Sequence, residues 1–82
     1  MSFVYIKGLV MPRQEVERQR DFVRRAAPGV DASKLAVYGE GHLAYTMTPL
    51  TPKERKVMRR AGYEWCGNCW WRENAPQLTV VK

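Results

Sequence analysis

Histidine is nearly missing from this sequence, with His42 the only one, and cysteine is scarce, with Cys66 and Cys69 the only pair. That shortage argues against a closed Cys/His metal site, because two thiols and one imidazole would need a carboxylate or a second subunit to complete the set. It also leaves a Cys–His nucleophile pair a single candidate base, and nothing places His42 within reach of a thiol. No apolar run approaches the ~20 residues of a membrane-spanning helix. The start, MSFVYIKGLVMP, lacks the charged, apolar and small-residue regions of a secretory signal. Acids are in short supply, with eight Asp and Glu against fourteen Lys and Arg, a formal charge of +6. These absences predict a non-enzymatic, cytoplasmic protein without cofactor or metal and without membrane association.

What is present is bulk and positive charge. A chain of 82 residues is expected to form one domain, spanning 1–82. A domain of this size buries only about 60–65% of its unfolded surface, so its core is thin. Three Trp, four Tyr and two Phe compensate, since each aromatic ring removes a large area from water. Most of the cations are Arg, which binds phosphate or carboxylate in a bidentate manner and stacks on aromatic rings. The balance points to a polyanion or an acidic protein surface as partner.

Apolar alternation predicts a strand over 2–10, with Val4 and Ile6 facing one way and Phe3, Tyr5 and Lys7 the other. Pro12 then suits the start of a helix running to Ala27, with Val16, Val23 and Ala27 on its apolar stripe. Segments 34–38 and 42–47 read as strands joined by Gly39-Glu40-Gly41. Pairing Tyr38 with His42 would put Leu35, Val37, Leu43 and Tyr45 on one face. Thr51-Pro52-Lys53-Glu54 has the form of a capping box that opens a second helix, and Gly62 ends it. Residues 78–81 could add a short edge strand. The order β-α-β-β-α-β predicts an α+β, ferredoxin-like fold, with an antiparallel sheet, two helices on one face and a C-terminal Trp-rich hairpin.

That hairpin is the segment YEWCGNCWWR, residues 63–72. A two-residue turn at Gly67-Asn68 would oppose Cys66 to Cys69, Trp65 to Trp70 and Glu64 to Trp71. Trp65, Trp70, Tyr63 and Arg72 then share one face, and Cys66, Cys69, Glu64 and Trp71 the other. WCGNC is similar to the thioredoxin motif W-C-G-P-C. In that family, however, the first Cys sits at a helix N-terminus, which lowers its pKa. Here the pair follows a strand and has Asn in place of Pro. Half of a zinc knuckle and a disulfide are further readings of the pair. Two cysteines acting as small apolar side chains account for it with least.

Helix, GYEW, turn, then WWR resembles a short helix–hairpin unit of small phage and bacterial proteins, seen also as a tail on DnaQ-like exonucleases. Gly62, Tyr63, Trp65, Trp70, Trp71 and Arg72 carry the resemblance, which implies phage or bacterial origin and nucleic-acid work. FVYIKGL is similar to the RNP2 strand of an RNA-recognition motif, although GHLAYTM does not supply the RNP1 pattern. By that likeness Tyr5 would stack a base.

Two functions follow as expectations. The first is a small basic nucleic-acid-binding protein in which Lys53, Lys56, Arg59 and Arg60 meet phosphates. Its stacking and flanking groups would be Tyr5, Lys7, Tyr38, Trp65, Trp70 and Arg72. The alternative is a protein-binding inhibitor of a host machine, phage-encoded and anti-CRISPR-like, that uses the same residues against an acidic protein surface. Either would act as a monomer or homodimer.

Overall fold

The computed structural model describes residues 3–6 and 9–73. Its elements are β1 (Phe3–Ile6), β2 (Leu9–Pro12), α1 (Arg13–Ala26), β3 (Leu35–Tyr38), β4 (Leu43–Thr46), α2 (Pro52–Arg60), β5 (Glu64–Trp65) and β6 (Cys69–Trp71). Short 3-10 turns lie at Ala32–Lys34 and Gly39–Gly41. The fold is α+β, with two α-helices and a four-stranded antiparallel sheet ordered β3-β4-β6-β5.

The N-terminal strand departs from expectation. Instead of one strand over 2–10, β1 and β2 pair with each other, Phe3 with Pro12 through Ile6 with Leu9, as a separate two-stranded sheet. Apolar alternation has the same period along one strand as along two strands of a hairpin, so the pattern does not separate them. A ferredoxin-like sheet takes in the strand that precedes the first helix; here that segment pairs within itself. The strand expected over 78–81 lies outside the described residues.

α1 buries Val16, Gln19, Phe22 and Val23 along one stripe, with Glu15 in its first turn and Arg24 and Arg25 in its last, both favourable to the helix dipole. It lies along the outer edge of β3. There Arg20 Nε donates to the carbonyl of Leu35 at 3.0 Å, covering an edge group that would otherwise invite another strand. Buried Gln19 links α1 to the β3–β4 connection, since its Oε1 accepts from the Glu40 amide at 2.8 Å.

That connection is longer than the sequence suggests. Tyr38 pairs with Leu43, not His42, because Gly39–Gly41 winds into a 3-10 turn with Glu40 at φ 56, ψ 44 and His42 helical behind it. A one-residue slip exchanges the faces of a whole strand. Ala44 therefore joins Leu35 and Val37, whereas Tyr45 joins Ala36 and Tyr38 on the other face, where the two tyrosine rings meet edge to face at 5.7 Å.

The main core collects Val23 and Ala27 of α1, Met58 of α2, and Leu35, Val37, Ala44 and Trp70 of the sheet. α1 covers the β3 edge from both sides: Val23 and Ala27 enter this core, whereas Val16 packs with Ala36 on the other face, beside Tyr38 and Tyr45. Burying a side chain the size of Leu35 or Met58 stabilises by about 1.5–3 kcal/mol. α2 ends in a Schellman motif: the Tyr63 amide donates to Met58 O at 3.1 Å and the Gly62 amide to Arg59 O at 3.0 Å, with Gly62 at φ +96. The chain then turns so that Tyr63 enters the core, 2% exposed. Its hydroxyl donates to the buried carbonyl of Gly41 at 2.7 Å, and burial raises its pKa to about 12.

Replacing Tyr63 by Phe keeps the ring and strips this donor. Leaving the Gly41 carbonyl unsatisfied is expected to destabilise by about 1–3 kcal/mol. Urea unfolding of Tyr63→Phe would measure it.

Candidate functional site

The two helices carry similar numbers of cations and treat them differently. On α1, Arg18 bonds Glu15 at 2.9 Å, Arg20 bonds Glu17 at 2.9 Å, and Arg24 bonds Glu17 at 2.8 Å and Asp21 at 2.6 Å. Hydrogen bonds from Arg18 and then Gln19 hold the Glu15 carboxyl at about 2. Those from Arg24, and less strongly Arg20, hold Glu17 below the usual carboxylate range. Three of the five arginines of α1 are thus paired with its own acids.

On α2, Lys53, Arg55, Lys56, Arg59 and Arg60 are all exposed. Among the described residues none of them forms an ion pair. The single acid of the helix, Glu54, faces inward at 8% exposure. Its carboxylate accepts from Lys34 Nζ at 2.7 Å, from the Asp31 amide at 2.9 Å and from the Thr51 amide at 2.9 Å. Thr51 Oγ1 in turn accepts from the Glu54 amide at 3.1 Å, closing the capping box. Lys34 first, then the two amides, lower the Glu54 pKa to about 2.

Beside α2 lies a groove of about 520 Å³. Trp65 and Trp70 form one wall, in contact across the hairpin with ring centroids 5.1 Å apart. Met47, Pro49 and Leu50 form another, and Arg55 and Arg59 enter from the helix. Trp70 belongs to the core at 1% exposure, while Trp65 and Met47 are each 49% exposed. The Arg59 guanidinium stands 5.8 Å from the Trp70 ring centroid, within cation–π range. Arg55 donates to Leu50 O at 2.8 Å, which fixes the loop below it. Thr46 also lines the groove, and its Oγ1 is shielded from solvent with no hydrogen-bond partner among the described residues.

The structure thus brings Arg59, Trp65 and Trp70 to one groove, with Trp70 acting as a buried support for Trp65, while Lys53, Lys56 and Arg60 are exposed on α2 outside the groove lining. It sets apart the other candidates. Tyr38 is on the opposite face of the sheet, in register with Leu43 and Trp71. Arg72 stands over the Tyr63 ring at 5.8 Å and against Gly62. Tyr5 is known by its backbone pairing with Val10 alone, and Lys7 lies outside the described residues. Arg55 and Met47 complete the groove. Arg55 is legible as one more helix cation, but nothing in the sequence signals that Met47 lines the same groove as Trp65.

Trp65 pairs with Trp70, and Glu64 with Trp71. At the tip the Cys66 amide donates to Cys69 O at 3.0 Å. The thiols are not bridged, and their sulfurs stand 3.1 Å apart, Cys69 buried and Cys66 exposed. Only Cys69 fits the expectation of a small apolar side chain in the interior. His42 is half-buried, and its Nδ1 lies 2.9 Å from Arg72 O, which can only accept, so that nitrogen carries a proton. Among the described residues no three His, Cys, Asp or Glu side chains are grouped to hold a metal ion, and no helix is long and apolar enough to cross a membrane. No protein-family model matches the chain, and neither a curated protein nor a solved structure shows significant similarity to it.

The Glu54 contacts give a pH signature. A folded-state pKa of about 2 against an ordinary value of 4.5 means that the stabilisation is complete above pH ~4.5 and is lost as pH falls towards ~2. Glu54→Gln is expected to be about 2–3 kcal/mol less stable at neutral pH. Urea unfolding at stepped pH should show that difference shrinking through this window.

Proposed function

We propose that this protein is a small, non-catalytic nucleic-acid-binding protein that meets the phosphate backbone with α2. The observation that carries the reading is the contrast between the helices. α1 pairs Arg18, Arg20 and Arg24 with Glu15, Glu17 and Asp21, whereas α2 presents five cations without a carboxylate partner among the described residues. Lys53, Lys56 and Arg60 follow the i, i+3, i+4 spacing of neighbours on one helix face, and Arg55 and Arg59 form a second row four residues apart. Two such rows offer a track for successive phosphates. The helix–hairpin resemblance points the same way, towards a cytoplasmic protein of phage or bacterial origin.

The alternative, an inhibitor that docks on a host protein, draws support from a different patch. Trp71, 38% exposed, stands beside Arg72 and Glu64 on the smaller groove of about 300 Å³, an aromatic–Arg combination common at binding hot spots. Docking through that patch would leave the unpaired charge of α2 unused, and for this reason nucleic acid is preferred.

Binding of random-sequence oligonucleotides across a salt series tests the proposal. The logarithm of the association constant should fall linearly with that of the salt concentration, with a slope of about −3 to −5 for the five cations of α2. Absence of binding at low salt, or affinity indifferent to salt, would contradict it.

A further inference from the structure

The groove beside α2 is built for more than phosphate, and we infer that it takes an unpaired nucleobase, which makes single-stranded nucleic acid the preferred ligand. The inference rests on the reading of α2 as the phosphate-contacting helix and adds a discrimination which that reading does not contain.

Three observations support it. First, Trp65 is half exposed although its neighbour Trp70 is fully in the core. Trp70 supports Trp65 across the hairpin, ring centroids 5.1 Å apart and planes tilted by 53°, so that Trp65 presents an exposed ring on which a base can stack. Second, Met47, equally exposed, lines the same groove. Its flexible thioether can close on the far side of a flat ring. A volume of about 520 Å³ lies within the range of small-molecule sites. Third, the polar atoms suit an aromatic ring attached to an anion. Arg55 and Arg59 enter the groove from α2, so a base against Trp65 would have its phosphate beside these two guanidinium groups.

A base paired within a duplex has both its faces covered by its neighbours and cannot enter such a slot without being extruded, which costs a few kcal/mol. A single strand meets no such cost, because its bases are already free to unstack. Charge also separates a nucleic acid from an apolar peptide. The groove has cations at its mouth and no acid among its lining residues, so an apolar peptide segment would leave the cations without a counter-charge.

The test compares a fluorescently labelled single-stranded oligonucleotide with its duplex of equal length, by anisotropy at fixed salt, on wild type, Trp65→Ala and Trp65→Phe. Wild type should bind the single strand at least tenfold more tightly. Trp65→Ala should weaken single-strand binding about tenfold, leave duplex binding and the salt slope unchanged, and abolish most of the tryptophan quenching. Trp65→Phe, which keeps a stacking face, should recover most of the affinity. Thermal melting of each variant checks that the hairpin is intact. Equal affinity for both forms, with Trp65→Ala silent in a folded protein, would overturn the nucleobase site and leave the α2 reading standing. Absence of binding to either form by wild type would overturn both.

Discussion

The inward-facing carboxylate of Glu54 is the contact on which the surface of this protein depends. It closes the capping box that starts α2, and it reaches the Asp31 amide and Lys34 across the core. A helix of nine residues is too short to be stable alone in water. α2 therefore relies on this anchor at its start, on the Schellman motif at its end and on Met58 in the core. The same contact decides the electrostatics. With its one acid held by Lys34, α2 has nothing of its own to neutralise the five cations that face water.

Much of this was legible in the sequence because it is local. The Thr51–Glu54 box, Gly62 as the terminator and the Trp65–Trp70 pairing are all set by residues within a few positions of one another. The parts that were not legible depend on distance or on loop conformation. The β3–β4 register turned on Glu40 adopting a left-handed conformation between two glycines, and that single turn decided whether Tyr45 shared a face with Leu35 and Val37 or with Ala36 and Tyr38. The β1–β2 pairing was hidden for another reason, since alternation is blind to chain reversal.

The candidate site was half visible. The cations of α2 stand out in any helical projection, but their lack of partners becomes apparent only when α1 is seen matching its own arginines to acids. Trp65 and Trp70 looked equivalent as sequence neighbours of the turn. Folding separates their roles: Trp70 supports the core, and Trp65 keeps a face for contact. Tyr38, expected among the stacking and flanking groups, lies on the sheet face opposite Trp65 and Trp70. The groove itself, where loop, hairpin and helix converge, has no signature in the chain.

The central claim is that unpaired charge on α2, and not the net charge of the protein, drives association with nucleic acid. Two doubly substituted proteins with the same loss of charge separate these directly: Lys53→Gln/Lys56→Gln on α2, and Arg24→Gln/Arg25→Gln on α1. Oligonucleotide affinity measured side by side at low salt should fall at least tenfold for the α2 pair, with a salt slope shallower by about 1.5–2, and should change little for the α1 pair. Equal losses from the two helices would contradict the account.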